Sequence, residues 1–403
     1  MASIPRGQTI PLGQSELGID YDLSHDHAGF LDMYDGGKMD GADLIPVTCN
    51  LATAACPPPT PQFKFVNSSE VTPYFQMAEE SAFGDRMFQT NQGPSFPAHQ
   101  FIISGTSAPT PTSKLFASDN PAGAMGSSNN TGCTAPSTEF VRLIDPTGAE
   151  SSTQYPCFDH PTLTDLLDAK GLSWRYYTLN AGTVSGGSIW TGPNAIQHIC
   201  QPKTVGGQLV CTGSEWKNNV IIDPTRALTD VANHQLAAVS WVIPSRNNSD
   251  HAGSVSANGG PSWVASIVNA VGASSYWSNT AIIITWDDWG GWYDHVPPPH
   301  VIIDGTSWGS GYVYGFRVPL IVVSTYAKAG YISHVTHDFG SVLKLIEQVF
   351  GLSSLGYADA RADDLSDCFN FNQTPLQFHT IAAPLTAEHF LNDHTPPGDP
   401  DDD

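Results

Sequence analysis

Two aspartates stand side by side at the end of an apolar run. Ala281-Ile-Ile-Ile-Thr-Trp286 leads into Asp287-Asp288, followed by Trp-Gly-Gly-Trp-Tyr-Asp294-His295. Successive strand side chains face opposite ways, so adjacent carboxylates converge only where the strand stops. Gly290 and Gly291 permit that sharp departure. Such a pair suits a hard divalent cation or acid–base chemistry; the plainer alternative is a turn that closes a strand. Gly93-Pro-Ser95-Phe-Pro97-Ala-His99 offers a second chemistry. Its prolines fix the backbone around a hydroxyl, yet a serine is a weak nucleophile until a cation or base activates it. Without a partner site the stretch reads as a rigid polar turn. Asp22-Leu-Ser-His25-Asp-His27 and Ser249-Asp250-His251 add imidazoles, which suit a metal or an anionic substrate, although a lone loop histidine is more often an ordinary surface residue.

Other matches fail on inspection. A His-x-His-x-Asp-His zinc pattern would need Asp and His where Gly29 and Phe30 stand. Gly305-Thr-Ser307-Trp-Gly309 fits the Gly-x-Ser-x-Gly nucleophile elbow, but Gly309-Ser-Gly311 starts a helix poorly. Ser307 is therefore expected in a hairpin or loop, and not as an acyl-hydrolase nucleophile. No Gly-x-Gly-x-x-Gly or Walker-type loop supports a nucleotide cofactor.

The elements that must position these residues alternate between helix and strand. Helical stretches are expected near 28–34, over 71–80 with Thr72 capping and Pro73 opening it, over 162–169 up to Gly171, over 263–271 and over 341–350. Strands are expected at 173–177, 238–243, 281–286 and 320–324, with 281–286 buried on both faces. Phe101–Ile103 reads as a short strand or a helix start, and 105–157 as a surface insertion rich in Ser, Thr, Pro, Gly and Asn. The pattern predicts an α/β fold with a mostly parallel central sheet flanked by helices and long loop insertions. In such a sheet, ligands collect at the carboxyl ends of the strands. A single domain over residues 1–365 is expected, then an extension over 366–403 ending in a solvated acidic tail from Pro396.

Composition narrows the function classes. The 403 residues carry 39 Asp+Glu against 16 Lys+Arg, a net charge of −23 with no basic cluster, which argues against nucleic acid or an anionic membrane surface as partner. No apolar run reaches the ~18 residues of a membrane helix. Seven cysteines lack any Cys-x-x-Cys; nearest neighbours suggest Cys49–Cys56, Cys133–Cys157 and Cys200–Cys211 as loop staples with Cys368 left over. That pattern points to an oxidising compartment, secreted or periplasmic, against the alternative of seven free thiols in a cytosolic enzyme. The start, Met1-Ala-Ser-Ile-Pro-Arg6, shows no signal peptide.

Taken together and in order, several segments carry a resemblance. They are Asp22-Leu-Ser-His25 with Tyr34-Asp-Gly-Gly-Lys-Met-Asp-Gly41, Gly93-Pro-Ser-Phe-Pro97 with Ile103-Ser-Gly-Thr106, and Val239-Ser-Trp-Val-Ile-Pro244 with Ser249-Asp-His251. Thr285-Trp-Asp-Asp-Trp-Gly-Gly-Trp-Tyr-Asp-His295 and Tyr314-Gly-Phe-Arg-Val-Pro319, with Ser333-His334 and Ser341-Val-Leu, complete the set. From about residue 15 to 360 the chain resembles the bacterial phosphoesterase family of phospholipases C and an acid phosphatase, in the alkaline-phosphatase-like superfamily. The resemblance implies hydrolysis of a small phosphate ester or phospholipid head group through a serine phospho-enzyme. It assigns Ser95 as nucleophile, His25 and His251 as catalytic, His27 and His198 as substrate-binding, and Asp287 and Asp288 as ligands of one divalent metal ion. The family normally opens with a Glu-Asn-x-Ser-Phe-Asp strand that completes the metal site, and no Glu-Asn occurs here. The chain is accordingly expected to be truncated at its N-terminus, and weakly active or inactive in this form. The rival expectation is a secreted binding protein that kept the fold and lost the chemistry. Trp286, Trp289, Trp292 and Tyr293 could stack a cationic head group, but are more often strand-end core residues. An anionic ester must approach an acidic surface, so the bound metal, His25 and His251, with Lys38 or Arg317, are expected to relieve the charge, with turnover rising below neutral pH.

Overall fold

The computed structural model describes residues 8–49, 56–122, 131–179, 189–253, 258–303, 306–307 and 313–396. Met1–Arg6, the tail beyond Pro396, and Gly305 with residues 308–311 around the elbow match lie outside them. Thr306–Ser307 pairs antiparallel with Ile302–Ile303, in keeping with the expected hairpin.

Four strands form one sheet in the order Ala281–Thr285, Leu320–Ser324, Ala82–Gly84, Tyr331–Ser333. The first two pairs are antiparallel and only the last is parallel. A smaller sheet, Val220–Ile221, Trp174–Tyr177 and Val239–Val242, is parallel throughout. The structure thus divides what the sequence suggested would be one mostly parallel sheet. The connections explain the division. Helices Ser214–Asn219 and Arg226–Ala232 lie between Trp174–Tyr177 and Val239–Val242 and allow a parallel return. Between Ala281–Thr285 and Leu320–Ser324 no described residue is helical, and the chain returns antiparallel.

Burial corrects a second expectation. Leu320–Ser324, in the sheet interior, is buried at every position, whereas Ala281–Thr285 ends the sheet and buries only Ile284 fully. An unbroken apolar run is compatible with either place, because sequence does not reveal which strand receives a neighbour on each side.

Helices begin and end where the local chemistry directs. In Leu163–Lys170 a Thr162/Asp165 capping box closes the start, and Gly171 at φ 70° ends it. Thr72–Glu80 accepts Pro73 in its first turn, where the missing N–H has no partner to lose. The same logic makes Ser95–Ser104 a helix instead of a polar turn: Pro94 caps it and Pro97 falls within its first turn. Nine of its ten residues are buried, and Gly105 ends it at φ 70°.

What covers this helix is the segment expected at the surface. Its Ala117, Val141 and Leu143 pack with Phe96, Phe158, Leu179 and Trp190 in one buried cluster. The three disulfides pair as expected and leave Cys368 as the free cysteine. Beyond residue 365 the chain stays on the body: Cys368 and Phe369 join the cluster of Ala82, Leu320 and Phe339, and Phe390 meets Trp263 edge-on at 5.3 Å. Among the described residues no helix is long and apolar enough to cross a membrane.

Candidate active site

Ser95 opens its helix and is almost completely buried. Gly93 makes that placement possible, since a Cβ there would stand 1.7 Å from the Ser118 carbonyl oxygen. Asn91 Nδ2 donates to the Gly93 carbonyl at 2.7 Å, and the Gln89 amide donates to the same oxygen. Ser95 Oγ accepts from Trp190 Nε1 at 3.1 Å and donates to Asp288 Oδ2 at 3.3 Å.

Asp288 arrives through the turn that follows its strand. Gly290 and Gly291 adopt φ 62° and 76°, and the Gly290 N–H donates to Asp288 Oδ1 at 2.8 Å. Any side chain at Gly291 would meet Leu23, its Cβ falling 2.4 Å from that of Leu23. This close approach brings the aspartate turn against residues 22–25, and His25 Nε2 lies 3.6 Å from Asp288 Oδ2. The Leu23 carbonyl accepts from His25 Nδ1 at 2.8 Å, which leaves Nε2 as the nitrogen that takes or gives a proton.

His251 completes an imidazole pair, its ring 5.7 Å from that of His25 and 5.8 Å from the indole of Trp190. Its Nδ1 donates to the Ala252 carbonyl at 2.7 Å and stands 3.7 Å from Asp22 Oδ2, which Arg246 approaches at 4.0 Å. Asp250, held at φ 64°, accepts from the Tyr74 hydroxyl at 2.6 Å. Burial pushes its carboxyl up to about 6.

Asp287 faces the other way, toward His99 Nε2 at 3.4 Å. His99 Nδ1 lies 2.9 Å from the Tyr176 hydroxyl, which donates to the Trp190 carbonyl at 2.9 Å. Burial alone would raise the Asp287 carboxyl, but the His99 imidazole outweighs it and the carboxyl sits at about 2. His99 carries no role that its sequence context alone would assign. The prolines at 94 and 97 make 93–99 look like a turn, which hides the i, i+4 relation that puts Ser95 and His99 on one helix face. Trp190 and Tyr74 gave no local signal at all, since only tertiary packing brings them here.

The remaining expected residues have other partners. His27 is buried, with Nδ1 2.6 Å from Glu150 Oε1 and Nε2 3.2 Å from Gln92 Oε1. Burial would lower its pKa, but Glu150 outweighs burial and raises it. His198 pairs with Asp159 at 2.6 Å and Asp165 at 3.3 Å. These carboxylates overcome the effect of burial and hold it at about 9. It lines a surface cleft with Asp159, Gln197, Gln201, Pro202 and Lys203 that shares no residue with the Ser95 group. Lys38 and Arg317 are engaged as well, Lys38 with Asp35 at 2.6 Å and Arg317 with both Asp294 oxygens at 2.7 and 2.8 Å. The aromatic residues pack as core: Trp289 against Phe316, Trp292 against Tyr21, Tyr293 against Phe63 and Trp286 against Tyr74.

The fit to a divalent ion can be tested on the carboxylates themselves. Asp287 Oδ2 is buried and makes no well-formed hydrogen bond, with His99 Nε2 as its neighbour at 3.4 Å, an acceptor that a cation would satisfy. Oxygen ligands from Asp287 and Asp288 suit a hard cation. The set is partial: among the described residues, no three donor atoms from separate His, Cys, Asp or Glu side chains come within 4.8 Å of one another here.

An α/β frame that gathers a helix-opening serine, two adjacent carboxylates and three imidazoles defines a site of the kind used to transfer acyl or phosphoryl groups. The chain belongs to the phosphoesterase family, whose sequence pattern matches residues 9–353. Phospholipase C B of Mycobacterium tuberculosis is 34% identical over 177 residues, 38% of this chain and 34% of that protein. The non-hemolytic phospholipase C of Pseudomonas aeruginosa is 28% identical over 240 residues, 52% of this chain and 33% of its own length. The hemolytic phospholipase C of the same organism is 24% identical over 348 residues, 76% and 43% of the two chains. The matched stretch thus spans about a third of the first two relatives and less than half of the last. Among solved structures, an alkaline phosphatase superfamily protein from Vibrio parahaemolyticus aligns at 13% identity and TM-score 0.38, over 72% of this chain and 64% of that one. A likeness that loose carries no argument.

Proposed function

We propose that this chain hydrolyses phosphate esters, of phospholipase C or acid phosphatase type, through a phosphoserine at Ser95. The observation that carries this reading is the contact of Ser95 Oγ with Asp288 Oδ2 at 3.3 Å, beside the paired imidazoles of His25 and His251. Ser95 Oγ attacks phosphorus as its proton passes to the Asp288 carboxylate, and Trp190 Nε1 holds the hydroxyl in direction. The bond from phosphorus to the ester oxygen breaks, and His25 or His251 protonates the departing alkoxide. Water then attacks the phosphoserine and gives one proton to the imidazole that lost it, the serine recovers its proton from Asp288, and phosphate or a phosphomonoester leaves. A divalent ion held by Asp287 and Asp288 would neutralise phosphoryl charge and lower the pKa of the serine hydroxyl, relieving Asp288 of the role of proton acceptor. The intact serine, carboxylates and imidazoles do not favour the non-catalytic alternative. Three disulfides fit an oxidising compartment, secreted or periplasmic.

The test is Ser95→Ala, assayed with p-nitrophenyl phosphate, p-nitrophenyl phosphorylcholine and phosphatidylcholine vesicles. Turnover of whichever ester wild type accepts should fall by at least about a hundredfold, with the circular dichroism spectrum unchanged. Undiminished turnover in the variant would overturn the assignment of Ser95. Comparison of the three wild-type rates separates monoester from head-group hydrolysis.

A further inference from the structure

Away from the Ser95 group, His337, Asp367 and Cys368 bring one nitrogen, one oxygen and one sulfur donor within 4.8 Å of one another. His337 follows the strand Tyr331–Ser333 and immediately precedes Asp338, which caps the helix Phe339–Phe350. Asp367 and Cys368 come from a short turn of 3-10 helix, Ser366–Cys368. Backbone bonds fix that turn beside the sheet: Lys328 N donates to the Cys368 carbonyl at 2.9 Å, and Lys328 Nζ to the Asp367 carbonyl at 2.6 Å.

The separations already resemble those around a small cation. Asp367 Oδ1 lies 3.8 Å from His337 Nε2 and 3.7 Å from Cys368 Sγ. A tetrahedral zinc ion with bonds of about 2.0–2.3 Å spaces its ligands roughly 3.3–3.8 Å apart. Asp367 Oδ2 also accepts from the Tyr331 hydroxyl at 3.1 Å and the Ser333 hydroxyl at 2.5 Å, which orients the carboxylate.

A second observation comes from the far side of the imidazole. His337 is fully buried, and its Nδ1 makes no well-formed hydrogen bond although Asp363 Oδ2 stands 3.1 Å away. A ligating histidine commonly turns its other ring nitrogen to a carboxylate in this way. His337 Nε2 now lies 2.9 Å from Ser333 Oγ, a contact that a cation would replace. Asp367 is 22% exposed and provides the way in.

We propose that His337, Asp367 and Cys368 form a second metal site, specific for a borderline divalent ion such as Zn²⁺, that pins the 363–369 turn to the edge of the four-stranded sheet. Its donor set includes a thiolate, and its role is structural. Binding releases the Cys368 thiol proton to solvent, and a water or Ser333 Oγ takes the fourth position. The proposal is independent of the hydrolase reading.

The other six cysteines are in disulfides, so any thiolate–metal signal must come from Cys368. The full chain is stripped with EDTA under non-reducing conditions and titrated with Co²⁺ while the near-ultraviolet thiolate-to-cobalt band is recorded. The band should rise to one equivalent, persist in Asp288→Asn and vanish in Cys368→Ser. Zn²⁺ should displace the Co²⁺. Absence of the band in wild type, or its persistence in Cys368→Ser, would overturn the site. Should Cys368→Ser fail to fold, Asp363→Asn serves instead: it should weaken the Co²⁺ Kd by about tenfold or more, and an unchanged Kd counts against the proposal.

Discussion

At the scale of single residues, the groups around the serine differ in how they tolerate charge. Asp287 is held ionised by His99, whereas Asp250, beside His251, has its carboxyl pushed up to about 6 by burial. The folded chain therefore binds the Asp250 proton more tightly than the unfolded chain, whose carboxyl titrates near ~3.9. The sign follows from linkage: Asp250 weakens the fold increasingly as pH rises from ~4 through ~6, and fully above that. Asp250→Asn keeps an acceptor for the Tyr74 hydroxyl and removes the charge. The variant should be more stable than wild type at pH 7.5, on the order of 1 kcal/mol after solvent screening. The gain should disappear near pH 4. Thermal unfolding at the two pH values checks this; a variant that melts below wild type at pH 7.5 contradicts it.

At the scale of elements, the site depends on two glycines that let separate segments touch. Gly93 passes the Ser118 carbonyl, and Gly291 passes Leu23. The second carries the greater cost on substitution, because its φ of 76° also disfavours an L side chain. Gly291→Ala should lose about 1–3 kcal/mol of stability in urea unfolding. It should also lower turnover, since the turn that sets Asp288 beside His25 must shift. Wild-type stability in this variant would mean that the 22–25 segment yields freely, and that the His25–Asp288 contact is not built into the fold. Sequence indicated that Gly290 and Gly291 allow a sharp turn. It did not indicate what the turn would meet, because Leu23 lies far away along the chain. The helical state of 95–104 was obscured for a different reason: prolines at its start are turn signals as well as acceptable first-turn residues.

For the whole molecule, the net charge of −23 remains the dominant long-range term. The cations expected to offset it near the site are engaged elsewhere, Lys38 with Asp35 and Arg317 with Asp294. Arg246, 4.0 Å from Asp22 behind His251, stands nearer to the imidazole pair. An anionic ester thus approaches against a repulsive field that salt screens, the Debye length falling from ~30 Å at 0.01 M to ~8 Å at 0.15 M. KM for an anionic ester should fall over that range of NaCl, with kcat little changed, while KM for a zwitterionic ester such as p-nitrophenyl phosphorylcholine moves less. Equal salt dependence for both esters would show that the global field does not reach the site.

The sequence by itself determined what is local. It contained the cysteine pairs, which close short loops; the helix caps at Thr162 and Gly171; and the carboxylate pair after an apolar strand. It also contained the segments around His25, Ser95 and His251 on which the resemblance to a family was read. Tertiary structure alone decided the rest. It placed Ala281–Thr285 at a sheet end, divided the sheet according to its crossovers, set the 105–157 segment against the Ser95–Ser104 helix, and brought Trp190, His99 and Tyr74 to the site. It also gave His27 and His198 carboxylate partners of their own. The physical reason is one of range. Caps, turns and short-loop staples are fixed by neighbours along the chain, whereas strand partners and the surroundings of a titrating group are fixed by residues distant in sequence, joined only when the core closes.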